Sequence, residues 1–299
     1  MSAQPVPAPR VVRPHITARE RLARIVSYHE LLVGMVRKEL KVKYKNSVLG
    51  FAWSLLNPLL YLVVFYIAFE KILGSSIPSF PIYLLSGLLV WNLFSMGLSG
   101  ATNSVVANAS LVKKVAFPRE ILPLSSVGST LVHFFLQSLV LFTVLAIARW
   151  HVAWAYMPLL PVALVALLLV TGSLGILLSA TNVYLRDTQH FLELALLAWF
   201  WVTPIVYPFQ LVARKAGWFR WVWAANPITP IVLVFQRAIF GKLDNPHVLK
   251  DGHPTPLLPH WSYASYVEYL GIAFAFGIIM LILGVYVFGR SEANFAEEL

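Results

Sequence analysis

The chain has 299 residues, of which 59% are hydrophobic and only 12% are charged, and its formal net charge is +10. An ordinary soluble domain carries about 25% charged residues, so this composition excludes a typical water-soluble fold and favours an all-α integral membrane protein. The chain contains no cysteine, which excludes disulfides, a thiol nucleophile and a thiolate metal site. Its cations flank apolar segments, as membrane topology requires, so we expect no nucleic-acid partner.

The N-terminal region divides into a tail and an amphipathic helix. Residues 1–16 are rich in proline and alanine without periodicity, which predicts a flexible cytoplasmic tail. Residues 17–45 repeat apolar side chains along one helical face, although Leu31 falls off that face and Lys43 falls on it. The pattern predicts a helix in the membrane interface, and a soluble helix packed on another subunit is the alternative. The cations on its other side would contact lipid headgroups: Arg37, Lys38, Lys41 and Lys45.

Six stretches within residues 46–299 are apolar and long enough to cross a bilayer, which takes about 20 residues. These predicted spans are 51–73, 82–107, 121–148, 156–181, 191–207 and 267–288. The Asn57-Pro58 pair lies inside the first span, where a proline frees a backbone carbonyl and predicts a bend.

Residues 211–240 are also apolar, but four cations and two prolines interrupt them. This pattern predicts two short re-entrant or interfacial helices between spans five and six, and a single seventh span is the alternative. The loop that follows, DNPHVLKDGHPTPLLPH, is rich in turn residues and predicts an external excursion.

Lysine and arginine residues near the spans indicate the orientation of the chain. Ten of them precede the first span, and the connection between spans two and three carries Lys113, Lys114 and Arg119. The opposite short connections carry only Lys71 and Arg149. Because cytoplasmic loops collect positive charge, both termini are predicted to be cytoplasmic in a multi-pass protein of the cytoplasmic membrane.

Polar residues inside the predicted spans are few. His133 is the ionisable group that lies in the middle of a span, and we interpret it as an interhelical hydrogen-bonding partner. The scarcity of intramembrane charge argues against transport driven by ion coupling. Small residues at helical spacing predict close helix packing: Gly97 with Gly100, Gly172 with Gly175, and Ser125, Ser126 and Ser129.

The sequence shows no catalytic constellation. It has no GxxxxGK[ST] phosphate-binding loop, because Gly241-Lys242 is followed by Leu243, and it has no HExxH motif. Its histidines are too scattered to indicate a metal site. We therefore predict a chain that is not an enzyme and that binds no metal or cofactor of its own.

Two cytoplasmic connections have distinctive sequences. The first, SLVKKVAFPREILPL at Ser110–Leu124, combines cations with an exposed-looking Phe117 and with Pro118 where a new helix would begin. The second, YLRDTQHF, contains the Arg186-Asp187 pair. A short amphipathic helix with one aromatic side chain suits docking into a groove of another protein, and an ordinary polar turn is the alternative.

Several aromatic residues lie in or near the spans: Trp53, Phe65, Trp91, Phe94, Phe134, Trp199 and Trp201. Such side chains form interfacial belts or packed cores in membrane proteins. They could equally line a passage, where flat rings suit the apolar faces of sugars. The sequence leaves these roles open.

Four stretches together resemble the permease subunit of type-2 ABC exporters, in particular those that export O-antigen, teichoic acid and capsule-like glycans. They are RKELKVKYKNSVLGFAWSLLNPLL, VKKVAFPREILPL, LRDTQHFLELALLAWFWVTPIVYP and NPITPIVLVFQRAIFG, and the segment FGRSEANFAEEL is also similar. Their order and spacing match the family from about residue 30 onwards.

The resemblance implies six spans and a homodimer that works with two copies of a separate cytoplasmic ATPase, which would hold ATP and Mg²⁺. The segment with Lys113, Lys114, Phe117, Pro118 and Arg119 would be the coupling element that docks on this ATPase. We add the adjacent Glu120 and the Arg186-Asp187 pair to the docking candidates. An outer gate would include Trp218, Trp221, Trp223, Asn226 and Pro227.

The resemblance also implies a cell-surface polysaccharide as cargo, often linked to a polyprenyl diphosphate. The interfacial cations would attract the diphosphate, and the same residues would serve as anchors for anionic lipid. Two alternatives remain: the same architecture exporting a drug or another small amphiphile, and a membrane-embedded enzyme acting on polyprenyl phosphate. The enzyme would need a carboxylate cluster near the membrane, whereas the acids of this chain are scattered among different elements.

Overall fold

The computed structural model describes residues 18–45, 47, 49–72, 77, 79–210, 225–250 and 252–299. Helices dominate it because a backbone in hydrocarbon must satisfy its own hydrogen bonds. The first helices are α1 Ala18–Ser27, α2 His29–Tyr44, α3 Trp53–Phe65 with a π-helical continuation at Tyr66–Ile72, α4 Phe80–Ala107, α5 Ala109–Lys114 and α6 Ile121–Ile147. The later ones are α7 Leu159–Tyr184, α8 Asp187–Val202, α9 Ile228–Phe235 with a π-helical continuation at Gln236–Phe240, α10 Tyr263–Ser291 and α11 Phe295–Glu298.

Four helices of the described chain, α4, α6, α7 and α10, are each long and apolar enough to cross a membrane. Their bounds fall within a few residues of the stretches predicted from hydropathy. The helix α3 and its continuation cover the first predicted span, and the backbone stays helical through positions 57 and 58. The tail at residues 1–16 and the predicted gate residues Trp218, Trp221 and Trp223 lie outside the described residues.

Two predicted helices differ from the observed ones. The single helix predicted over residues 17–45 is broken at Tyr28, next to which Ser27 Oγ donates to the Arg24 carbonyl (2.8 Å) and His29 Nδ1 lies 3.1 Å from the Val26 carbonyl oxygen. The helix predicted over 191–207 is instead α8, which ends at Val202. Thr203 is extended there (φ −92°, ψ 131°), because the proline that follows disfavours the α conformation at this position.

The predicted all-α architecture is wrong for the external excursion, which forms a two-stranded antiparallel hairpin. Its strands are β1 Asp244–Lys250 and β2 His253–Pro256, with Asp244 opposite Pro256 and Lys250 opposite His253. The turn contains Gly252 with a positive φ of 77°, a conformation that glycine adopts without steric cost. A loop outside the hydrocarbon is free to pair strands, which hydropathy alone does not reveal.

Helix α4 lies at the centre of the fold and packs closely against α7. A Cβ atom added at Gly175 of α7 would lie 2.7 Å from the Cβ atom of Ala101, and one at Gly97 of α4 would lie 3.1 Å from a methyl carbon of Thr171. Helix α10 also packs closely against α7, because a Cβ atom added at Gly277 of α10 would lie 2.8 Å from the Cγ atom of Leu169. The prediction that these small residues serve close packing is confirmed for Gly97 and Gly175.

The two ends of the helix bundle form separate apolar clusters. We call the end that carries α2, α5 and the start of α6 the docking face, and the opposite end the outer face. Buried side chains at the docking face form one cluster: Met35, Val105, Val112, Ile121, Leu122, Ile176, Ala180, Val183, Phe288 and Phe295. At the outer face, Trp150 Nε1 donates to the Ile239 carbonyl (3.2 Å) and Arg237 lies 4.3 Å from the ring centroid of Tyr156. These contacts join the α6–α7 loop to the end of α9.

We predict that Gly175→Ala destabilises the protein relative to Gly271→Ala. Both substitutions gain up to about 1 kcal/mol of helix propensity, but the added methyl group at Gly175 clashes with Ala101, which costs about 1–3 kcal/mol. No described atom lies within 4 Å of the corresponding position at Gly271. Thermal unfolding of both variants in detergent measures the difference, and equal melting temperatures would contradict close α4–α7 packing.

Candidate functional site

The docking face contains a groove of about 550 Å³. The α5–α6 connection supplies one wall through Phe117, Pro118, Arg119 and Glu120. The other walls come from Arg24 and Tyr28 at the α1–α2 junction and from Glu292 after α10. Residues that are far apart in the sequence therefore form one surface, of a size that suits a side chain or a short helix of another protein.

Helix α11 and the end of α7, for which the sequence predicted no role at this site, pack against the residues that form the groove. Phe295 of α11 is fully buried, and the guanidinium of Arg119 lies 5.8 Å from its ring centroid. Arg119 Nη1 also donates to the carbonyl of Glu292. Tyr184 at the end of α7 donates to the Ser291 carbonyl at 2.8 Å, so the segment after α10 touches α7 and the α5–α6 connection together.

The predicted docking residues occupy different parts of this face. Phe117 is half-buried against the apolar cluster of the docking face, so it is less exposed than its sequence suggests. Lys113 and Lys114 are exposed on α5, while the neighbouring Val112 is buried. Arg186 and Asp187 are exposed at the start of α8, directly after the end of α7 that contacts Ser291. Glu120 is buried in the wall of the groove.

Helix α2 is attached to α6 by a carboxylate that accepts three hydroxyl hydrogen bonds. Glu39 Oε1 lies 3.0 Å from the hydroxyls of Ser125 and Ser126, and Glu39 Oε2 lies 2.8 Å from the hydroxyl of Ser129. A Cβ atom added at Gly128 would lie 2.9 Å from a methyl carbon of Val36, so the two helices are also in close contact. The three serines thus hold α2 as well as permitting close packing.

One turn further along α2, Lys43 and Tyr44 contact His133. Lys43 Nζ lies 3.2 Å from His133 Nε2, and Tyr44 Oη lies 3.2 Å from His133 Nδ1. An ammonium group only donates, so Nε2 accepts, the ring proton is on Nδ1, and the Tyr44 oxygen accepts it. The interpretation of His133 as an interhelical hydrogen-bonding partner is confirmed. Loss of water around the ammonium lowers the pKa of Lys43.

The four cations predicted to contact headgroups are exposed along α2 and at its end. Three of them, Arg37, Lys41 and Lys45, are exposed at the surface of the described structure. Lys38 differs because its Nζ donates to Asn108 Oδ1 at 2.9 Å. Lys38 therefore connects α2 to the α4–α5 junction.

The seven aromatic residues that could line a passage differ in how far they are buried. Trp91, Phe94 and Phe134 lie in the apolar core, with exposed fractions of 8%, 0% and 5%. A ring covered on all sides by its own subunit cannot line a passage, so these three serve packing here. Phe65 and Trp199 are partly buried, whereas Trp53 and Trp201 are exposed.

Trp199 and the predicted gate residue Asn226 meet at the start of α9. Trp199 Nε1 donates to Asn226 Oδ1 at 2.9 Å, and Asn226 Nδ2 donates to Thr203 Oγ1 at 2.9 Å. The same Oδ1 accepts from the Ile228 amide at 3.0 Å, so it satisfies an amide of the first turn of α9. Asn226 and Pro227 are buried. This network fixes the end of α8 to the buried helix α9.

The sequence did not reveal the roles of Glu39, Tyr184 or Phe295. Each acts through a partner more than 80 residues away in the chain. The one local signal for Glu39 was its position among the four Lys and Arg residues of α2. Such an acid is easily interpreted as a solvated surface residue.

A sequence profile of the ABC-2 type transporter family matches residues 30–240 of the chain. An O-antigen export system permease protein RfbA from Myxococcus xanthus is 33% identical over 285 residues, which cover 93% of this chain and 99% of the relative. Another, from Klebsiella pneumoniae, is 28% identical over 270 residues, covering 90% and 95%. The polysialic acid transport protein KpsM from Escherichia coli is 20% identical over 205 residues, covering 68% and 78%.

We predict that Phe295→Ala loosens the support under the groove and exposes α5. Truncating a buried phenylalanine lowers the free energy of unfolding by about 3–5 kcal/mol. The equilibrium constant for local opening around α5 should therefore increase at least about tenfold. The chain has no cysteine, so Val112→Cys provides a single buried thiol whose maleimide labelling rate reports this opening.

The matched control is Tyr286→Ala, which removes an exposed aromatic ring from α10. This variant should leave the labelling rate of the Val112→Cys thiol unchanged. Equal labelling rates with and without Phe295→Ala would show that Phe295 does not support α5.

Proposed function

The chain belongs to the ABC-2 type transporter family of multi-pass membrane proteins, and we propose that it is the permease subunit of an ATP-driven polysaccharide exporter in the bacterial cytoplasmic membrane. The observation that carries this proposal is the match to O-antigen export permeases over nearly the full length of both chains. The more distant match to a polysialic acid transport protein supports a glycan as the class of cargo.

We propose that a separate ATPase supplies the energy and holds ATP and Mg²⁺. The sequence of this chain has no phosphate-binding loop and few ionisable groups within its spans, so the driving force has to enter from outside. The groove at the docking face is the proposed entry point, because Phe117, Pro118 and Arg119 form one wall of it. Two ATPase copies would dock on the two permeases of a homodimer.

The exposed side of α8 is the proposed contact with the second permease copy. Leu192 and Leu196 face the protomer core, whereas Phe191, Leu194, Leu197 and Trp201 are exposed. Helix α3 exposes a similar apolar surface. A polymer needs a wider path than one tightly packed bundle provides, so we place the passage between two copies, where Trp201 and Trp53 remain free to line it.

We propose six spans with both termini in the cytoplasm, with α3 and α8 completing the set formed by α4, α6, α7 and α10. The basic residues support this orientation because α2 and α5 carry six of them at the docking face. The exposed cations Arg37, Lys41 and Lys45 would attract the diphosphate of a polyprenyl-linked glycan to the membrane surface. Asn226 and Pro227, fixed by Trp199, would belong to the gate at the outer face.

We predict that depleting the protein leaves completed glycan on the cytoplasmic side of the membrane. Synthesis continues in this case because only translocation is lost. Glycan extraction and surface labelling in the depleted strain measure the two pools. If glycan synthesis itself stops, the chain is an enzyme of the assembly route, and if surface glycan is unchanged, its cargo is another amphiphile.

We predict that Phe117→Ala combined with Arg119→Ala lowers export at least about tenfold by removing two contacts of the proposed interface. The variant should reach the membrane in normal amounts and copurify with less ATPase. The matched control is His253→Ala in the exposed hairpin of the outer face. Unchanged export and unchanged ATPase copurification would remove the docking role from this groove.

A further inference from the structure

A small cavity of about 180 Å³ lies where α2 crosses α6, separate from the docking groove. Glu39 and Lys43 line it from α2, Ser129 and His133 from α6, and Met96 and Gly100 from α4. A cavity of this size suits a small polar headgroup. Lys43, Met96 and Gly100 are exposed, so the cavity opens to the surface of the protomer.

The acidic side of the cavity is Glu39. Its two oxygens accept hydrogen bonds from three serine hydroxyls, and an ionised carboxylate offers about four acceptor positions. Ser125 and Ser129 also lie within reach of helix carbonyls, at 2.8 Å from Leu122 O and 2.9 Å from Ser126 O, so each shares its single proton. The carboxylate is thus fixed in position and retains capacity for a further donor.

The basic side of the cavity is Lys43, one helical turn from Glu39. Its ammonium has three donors, and one is directed at His133 Nε2. In the part of the chain that the structure describes, no carboxylate lies within ion-pairing distance of this ammonium. An ammonium that is partly shielded from water and has no carboxylate beside it is stabilised by an anionic group that enters the cavity.

We propose that this cavity binds the headgroup of an aminoalkyl phospholipid of the phosphatidylethanolamine class. Its phosphate would accept from the Lys43 ammonium, and its primary ammonium would donate to Glu39. Glu39 and Lys43 are four residues apart on one helical face, with Cβ atoms about 5–6 Å apart, so one zwitterionic headgroup can reach both side chains. Helix α2 is amphipathic and basic, which places the opening at the level of lipid headgroups.

The chemistry of the site selects among headgroups. A purely anionic headgroup would gain from Lys43 but would be repelled by Glu39. A choline headgroup has no N–H group to donate to the carboxylate, and its three methyl groups increase its size. The ethanolamine headgroup is therefore the one that satisfies both charged side chains. This lipid belongs to the surrounding bilayer, so the inference does not depend on the nature of the exported cargo.

The experiment measures lipid retention by the full-length chain. Purified protein is offered equal mixtures of phosphatidylethanolamine, phosphatidylcholine and phosphatidylglycerol with identical acyl chains, and retained lipid is counted by native mass spectrometry. We expect at least about tenfold preference for phosphatidylethanolamine, corresponding to one charge-assisted hydrogen bond. Lys43→Met and Glu39→Gln should each remove this preference. In Glu39→Gln the amide oxygen can still accept from Ser125 and Ser126, and the amide NH2 can donate to Ser129 Oγ, so α2 stays attached to α6.

The matched control is Lys41→Met, which removes a cation from the exposed side of the same helix and should preserve the preference. Three results would overturn the proposal. They are equal retention of the three lipids, preference for phosphatidylglycerol that depends on Lys43, and an unchanged preference in both Lys43→Met and Glu39→Gln. Displacement of the retained lipid by soluble phosphoethanolamine at equal concentration would also overturn it, because the site would then recognise a free metabolite.

Discussion

Helix α4 packs closely against α7 because Gly97 and Gly175 have no side chains at the crossing. In a bilayer there is no hydrophobic gain from bringing helices together, so shape and van der Waals contact decide whether they associate. The other helices are arranged around this pair: α6 lies on one side of α4, α10 lies against α7, and the buried α9 touches both α4 and α7. A methyl group at this crossing would therefore disturb contacts well beyond its immediate neighbours.

Polar contacts define the periphery of this apolar bundle. At the docking face, the carboxylate of Glu39 and the guanidinium of Arg119 hold α2 and the α5–α6 connection against the spans. At the outer face, Asn226 joins α8 to α9, and the indole of Trp150 joins the α6–α7 loop to the end of α9. Such bonds are directional, so they fix which surface each end of the bundle presents to partners.

Local sequence predicted the parts of the structure that depend on local chemistry. The bounds of α4 and α6 follow from apolar length, and Gly97 could be assigned to packing because small residues recur at helical spacing. The break at Tyr28 was missed because α1 and α2 continue one apolar periodicity across it. The hairpin was missed because turn residues indicate where a chain reverses, and not whether its arms pair.

The candidate site was harder to predict than the fold. The docking segment was recognisable from its cations, Phe117 and Pro118, but the groove also needs Arg24 and Glu292 from opposite ends of the described chain. The role of Glu39 was not recognisable because it lies between lysines in the sequence. Its partners are serines, which are common in helix–helix contacts and do not by themselves indicate a bound carboxylate. Contacts of this kind depend on the three-dimensional arrangement of spans, which periodicity along one helix does not encode.

The position of Phe295 in the chain has a consequence for biosynthesis. Every other member of the cluster at the docking face precedes it in the sequence, from Met35 to Phe288. During translation the spans can enter the membrane in order, but the cluster lacks the ring of Phe295 until α10 has been made. The groove above it therefore forms only after α10 and α11 have been made. In the proposed complex, the order of these elements along the chain would delay docking of the ATPase until α11 has been made.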